Sequence, residues 1–229
     1  MKPSPSPMGI SDAIQITNGS AMHGYGNWLT VVVSGLALVG SAVSLWETTL
    51  KQPQIELYVS ENIQYTRDPY GSYEVFAVPM TIVNGGARDG AVLSLELDVK
   101  NSATGKVDKF KSTYTADAQF FGGRDDVREH VKRPKVPFAP LSVAGRSAYT
   151  GTILFYGPAP TGRDQDLIPP KSSLEMTLNL AMPPLSNLLE KALTAIPRPV
   201  TFKAEVPDFL VGALYSGENV PLRVTPGAQ

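Results

Sequence analysis

Polar and apolar positions divide this chain into two regimes. From Trp28 to Trp46 (WLTVVVSGLALVGSAVSLW) there is no Asp, Glu, Lys or Arg, and the polar side chains are limited to Thr30, Ser34, Ser41 and Ser44 between two tryptophans. At about 1.5 Å per residue a helix over that stretch is roughly 28 Å long, close to the hydrocarbon thickness of a bilayer. A helix of that length in a globular core carries a broader polar stripe, so the pattern predicts a single transmembrane helix over 28–46. Trp28 and Trp46 are the chain's only tryptophans. They stand at the two ends of the span, where indole rings prefer the headgroup level, and are read as membrane-interface anchors.

Beyond Gln54 the pattern changes to period two, the mark of strands with one face buried. Ile55, Leu57 and Val59 alternate, as do Phe76, Val78, Met80 and Ile82, and then Leu93, Leu95, Leu97 and Val99. Further strands are predicted over 147–157, 173–182, 199–206 and 219–225, with weaker candidates at 107–115 and 209–215. Pro79 lies inside an alternating run and cannot donate to a ladder, which predicts an edge strand or a bulge there. The stretch 158–171 reads as a loop. Leu185, Leu188, Leu189, Ala192, Leu193 and Ile196 share one helical face that stops at Pro197, predicting a covering helix over about 185–196.

These elements predict a mainly β protein: an antiparallel β-sandwich with one covering helix, preceded by the transmembrane helix. The domain reading is a Pro/Ser/Gly-rich disordered tail over 1–27, the span over 28–46, a linker over 47–54 and the sandwich over 55–225. With turn-rich joins at Asn84–Gly90 and Pro137–Gly145, residues 55–182 look like immunoglobulin-like sandwiches in general form. The Cys and Trp marks of antibody-type domains are absent, so no family residues carry over.

A cleaved signal peptide is the nearer competitor for the apolar run. It is weakened by the 27 or so residues before the run, by Lys2 as the sole basic residue there, and by a run longer than the usual h-region. The expectation is an uncleaved signal-anchor in a single-pass membrane protein. Lys51, offset by Glu47, is the one cation close to the span, a slight lean toward a cytoplasmic C-terminal domain that leaves the side open. Small residues at Ala37 and Ser41 and at Gly40 and Ser44 sit four apart, a spacing compatible with a homo-oligomer paired through the helix.

Composition narrows the chemistry. Twenty Lys+Arg against 21 Asp+Glu give a net charge of -1, which implies no strongly basic surface for nucleic acid. Cys is absent and His occurs twice, removing disulfides, thiol nucleophiles, Cys-based zinc sites and paired-histidine motifs. His23 and His130 are isolated, Gly145-Arg146-Ser147-Ala148-Tyr149 departs from a nucleophile elbow at its fifth position, and Asp164 with Asp166 lacks the rest of a calcium loop. No catalytic residue, cofactor or metal ligand is assigned.

The most unusual polar stretch is Arg124–Lys135, which follows Phe120 and Phe121. Phe120, Phe121, Arg124, Arg128, Lys132, Arg133 and Lys135 form a candidate partner-binding loop for a protein, polyanion or glycan. The alternative is a solvated loop with local ion pairs; at a cytoplasmic membrane face its cations would instead meet anionic lipid. The functional expectation is a non-enzymatic interaction or assembly module with a protein partner of unknown identity. A membrane-anchored, glycosidase-like hydrolase is the alternative, and it needs two carboxylates about 5–9.5 Å apart in a cleft.

Overall fold

The computed structural model describes residues 23–68, 73–116, 136–159, 168–184, 194, 196–210, 212, 214 and 219–226. Two compact units divide between Leu45 and Trp46. The first contains helix α1 (His23–Leu45), an apolar run of Val, Leu, Ala, Gly and Ser after Trp28 with no proline to break it. The second opens with a five-residue π-helical segment, Trp46–Leu50, and then forms the β domain.

Twelve strands follow among the described residues: β1 (Ile55–Val59), β2 (Asn62–Arg67), β3 (Glu74–Asn84), β4 (Gly90–Val92), β5 (Ser94–Asn101), β6 (Val107–Ala116), β7 (Val136–Pro137), β8 (Leu141–Val143), β9 (Ser147–Tyr156), β10 (Ser173–Ala181), β11 (Val200–Glu205) and β12 (Val220–Pro226). Eight of them close into an antiparallel barrel in the order β2–β3–β9–β6–β5–β10–β11–β12, with β12 returning to β2. β1 continues along β3 beyond the end of β2, β7 pairs with β6 beyond the end of β5, and β4 pairs with β8 as a separate ribbon.

The barrel corrects the expected immunoglobulin-like sandwich. A sandwich leaves two sheets with open edges, whereas here two strands carry the ladder around the corners. β6 pairs with β5 through Val107–Lys111 and with β9 through Lys111–Ala116, with a register shift between Ser112 and Tyr114. Such a bulge bends a strand and increases its twist, which lets one strand serve two sheet directions. β12 does the same between β11 and β2. Closure removes the edges that a sandwich must protect.

The inward positions are the alternating apolar residues. Phe76, Val78, Met80 and Ile82 of β3 meet Leu95, Leu97 and Val99 of β5, Phe110 of β6, Ile153 and Phe155 of β9, and Leu174, Met176 and Leu178 of β10 in one buried cluster. An eight-stranded barrel is just wide enough for side chains to fill it, and here they do. The outward face of β5, β6 and β10 is charged: Lys100 pairs with Glu175 at 3.1 Å, and Lys109 with Glu96 at 3.0 Å and Asp98 at 3.5 Å. This inside-out distribution is the reverse of a membrane-spanning barrel, whose outer surface is apolar.

Four local expectations also change. Residues 62–67 form β2 although no strand was expected there, because polar Asn62, Gln64 and Thr66 hide the alternation of Ile63 and Tyr65. Pro79 lies on a strand with neighbours on both sides and in unbroken register with β9. Its carbonyl accepts from the Ser60 N–H at 3.0 Å, so its nitrogen faces the bend between β1 and β2, where no ladder bond is lost. Leu93 falls between β4 and β5 and is 41% exposed rather than inward. The weak strand over 209–215 is not seen among the described residues: Phe209 and Leu210 are irregular, and Gly212 and Leu214 are helical. For the expected helix, 185–193 and 195 lie outside the described residues, while Ile196 is non-helical and 83% exposed.

The Phe76 and Phe110 rings meet edge to face with centroids 4.9 Å apart. Phe110→Ala is expected to lower the unfolding free energy by about 3–5 kcal/mol, measured by urea titration. A loss under about 1 kcal/mol would contradict a filled barrel interior.

Candidate membrane anchor and barrel entry

Helix α1 is exposed along its described side chains from Trp28 to Leu45, including Val31, Val33, Leu36, Leu38, Val39 and Val43. The apolar stretch Trp28–Leu50 is long and apolar enough to cross a membrane, and none of its residues is buried. Ser41 donates its hydroxyl to the Ala37 carbonyl at 2.8 Å, which satisfies the side chain within the helix. Trp28 is 65% exposed and Trp46, the first residue of the π-helical segment, 39% exposed.

The chain then enters the barrel through a dense backbone knot. Lys51 N–H donates to the Trp46 carbonyl at 2.9 Å, closing the wide turn, and Lys51 Nζ pairs with Glu47 at 3.2 Å. The Lys51 carbonyl accepts from Ala87 N–H at 3.0 Å and Arg88 N–H at 3.2 Å, and Gln54 carbonyl accepts from Gly85 N–H at 2.9 Å. The Arg146 guanidinium donates to the Glu47 carbonyl, and Arg146 N–H donates to the Gly86 carbonyl at 2.9 Å. A cation at a helical C-terminal carbonyl satisfies an orphan acceptor and complements the helix dipole.

Asn84 holds this knot together. It is fully buried, and its amide makes four hydrogen bonds: Oδ1 accepts from Gln54 N–H at 3.1 Å and Gly86 N–H at 3.0 Å, while Nδ2 donates to Arg88 O at 2.8 Å and Val143 O at 3.0 Å. Gly86 and Gly145 are required by close approach, since a Cβ at either would overlap a backbone carbonyl, of Gln52 and Ala87 respectively. Reading Asn84–Gly90 as a turn missed this role. The available signal was an Asn at the end of a buried strand followed by two glycines.

Arg146 has φ of 57°, a left-handed conformation that costs a side-chain-bearing residue about 1 kcal/mol. Arg146→Ala and Arg146→Gly both remove the guanidinium bond, but only glycine relieves the backbone. The glycine variant is expected to be the more stable by about 1 kcal/mol in thermal unfolding; equal stability would show that the backbone is not strained.

A second cluster lies on the outside of the barrel, where β3, β6 and β9 meet. Val75, Ala77, Ala116 and Leu154 are buried there, with Tyr114 and Tyr156 packed against them and ring centroids 5.5 Å apart. Tyr156 donates its hydroxyl to Asp68 Oδ2 at 3.3 Å. Burial first, and then the Asp68 carboxylate, push its phenol above the ordinary value of 10.0. The folded state therefore keeps a proton that the unfolded chain loses above about pH 10, and stability falls as pH rises past that point. Unfolding free energies measured at pH 8 and at pH 11 are expected to differ more in the native chain than in Tyr156→Phe; equal differences would contradict this linkage.

Inside the barrel, Tyr65 donates its hydroxyl to Glu74 Oε1 at 2.7 Å, and Arg67, on the same strand face as Tyr65, is also buried. Lys109, Glu96, Asp98, Lys100 and Glu175 are instead paired across the outer face. The candidate partner-binding residues Phe120, Phe121, Arg124, Arg128, Lys132, Arg133 and Lys135 lie outside the described residues, as do His130, Asp164 and Asp166.

No protein-family model matches this chain, and no curated protein matches it. Among solved structures it is similar to a crystal structure described as the ApaA protein from Bordetella pertussis, with 13% sequence identity and a TM-score of 0.29, over 69% of this chain and 93% of that one. A likeness of that size identifies neither a fold nor an activity.

Proposed function

We propose that this protein is a single-pass membrane protein whose β-barrel is a non-enzymatic interaction or assembly module. The observation that carries the reading is the apolar stretch Trp28–Leu50, exposed on every side and followed after four residues by the first strand of the barrel domain. Exposing that many valines and leucines to water is unfavourable by about 25 cal/mol per Å² of apolar surface, a cost that a bilayer removes. The barrel supports the non-enzymatic part: its interior is occupied by Phe76, Phe110, Phe155 and their neighbours, leaving its outer face and loops for recognition.

Chemical crosslinking in intact membranes tests this function through the exposed lysines Lys100 and Lys109. Discrete crosslinked species of fixed stoichiometry are expected. A chain that stays monomeric at every crosslinker concentration, while the purified protein turns over a panel of chromogenic glycosides, would contradict it.

A further inference from the structure

We propose that the barrel end at which the chain enters is a contact surface for anionic lipid headgroups, formed by Lys51, Arg88 and Arg146; this rests on the membrane-anchor reading above. In sequence these cations are 37 and 58 residues apart, and Lys51 alone stands near the span. Folding gathers them. Arg88 N–H is bonded to the Lys51 carbonyl, Arg146 N–H to the carbonyl of Gly86, and the Arg146 guanidinium to Glu47 within the π-helical segment that ends the apolar stretch.

The charges in this knot are unequal in availability. Glu47 is held by Lys51 at 3.2 Å, and Asp89 Oδ1 accepts from the Gly145 N–H at 3.0 Å. Arg88 and Arg146 are exposed, and neither makes an ion pair among the described residues. Both carboxylates are thus engaged within the knot, while Arg146 spends one guanidinium N–H on the Glu47 carbonyl and remains exposed, as does Arg88. A guanidinium presents a planar fork that fits phosphate oxygens in pairs, and it is weakly hydrated, so it suits a headgroup phosphodiester better than an ammonium does. Only Lys51–Gln54 separate the apolar stretch from β1, and a linker this short keeps the knot near any surface the stretch enters. Anionic lipid is the occupant that meets all three conditions: phosphate chemistry, opposite charge and a surface at that height.

The chain contains no cysteine, so Ala144→Cys provides a unique attachment point for a fluorophore on the exposed loop before Gly145. The full-length protein would be reconstituted into phosphatidylcholine vesicles with or without phosphatidylglycerol, and quenching by headgroup-labelled lipid measured. Quenching is expected to be about twofold stronger in the anionic vesicles and to fall to the neutral level at high salt. Arg88→Glu, whose side chain has no hydrogen-bond or ion-pair partner among the described residues, is expected to weaken the difference, and Arg88→Glu with Arg146→Glu to abolish it. Equal quenching in both vesicle types, from protein that resists alkaline carbonate, overturns this proposal and leaves the anchor standing. Protein that carbonate washes off overturns the anchor and this proposal together.

Discussion

Replacing Asn84 with alanine is expected to cost about 3–5 kcal/mol of stability, among the largest effects of any single polar substitution in this barrel. The side chain is completely buried and every donor and acceptor of its amide is used, toward Gln54, Gly86, Arg88 and Val143. Alanine would remove four bonds and leave backbone groups from three separate segments without that partner, those of Gly86 and Val143 in buried surroundings, and an unsatisfied buried group costs more than a bond contributes. Asn84→Asp keeps the acceptor toward Gln54 and Gly86 but cannot donate to Arg88 and Val143 when ionised, so it is expected to destabilise as well. Urea unfolding of both variants checks the account. An alanine variant within about 1 kcal/mol of the native protein would show that the entry knot is held by something other than Asn84.

Leu38→Arg combined with Val39→Arg is expected to abolish stable membrane insertion. Each arginine at the centre of a span costs about 2.5–3.5 kcal/mol on an insertion scale, so the pair opposes insertion by about 5–7 kcal/mol. Both residues are exposed on α1 and lie near the middle of the apolar stretch. The variant should leave the carbonate-resistant pellet while the circular dichroism of the β domain stays the same. Val39→Leu should remain in the pellet. If the double variant pelleted as the native chain does, lipid would not be what retains it.

The parts legible in the sequence were those fixed by local pattern. Alternation at Phe76–Ile82 and Leu95–Val99 located strands and their inward faces, because burial of one face follows directly from a period of two. The same alternation suits a sandwich and a barrel equally, since both bury one face of each strand. What separates them is which edges pair, and that depends on the bulge at Ser112–Tyr114 and the divided pairing of β12, neither of which leaves a strong local signature. Pro79 misled for a related reason: the penalty for a proline depends on which edge its nitrogen faces, and the bend between β1 and β2 leaves that edge open.

The entry site was less legible. Its components, Lys51, Asn84, Arg88 and Arg146, come from distant stretches of sequence joined by backbone hydrogen bonds, and backbone bonding carries no residue code. Only the two tryptophans and the uncharged run between them were visible in advance, because length and charge alone define a candidate span.

The most direct test of the central reading is an intact-mass measurement on the protein recovered from carbonate-washed membranes. The expected result is a membrane-retained chain whose mass includes residues Trp28 to Trp46 together with the barrel. Protein found in the wash, or a mature mass that has lost that stretch, would contradict a membrane anchor and identify the apolar helix as a cleaved signal.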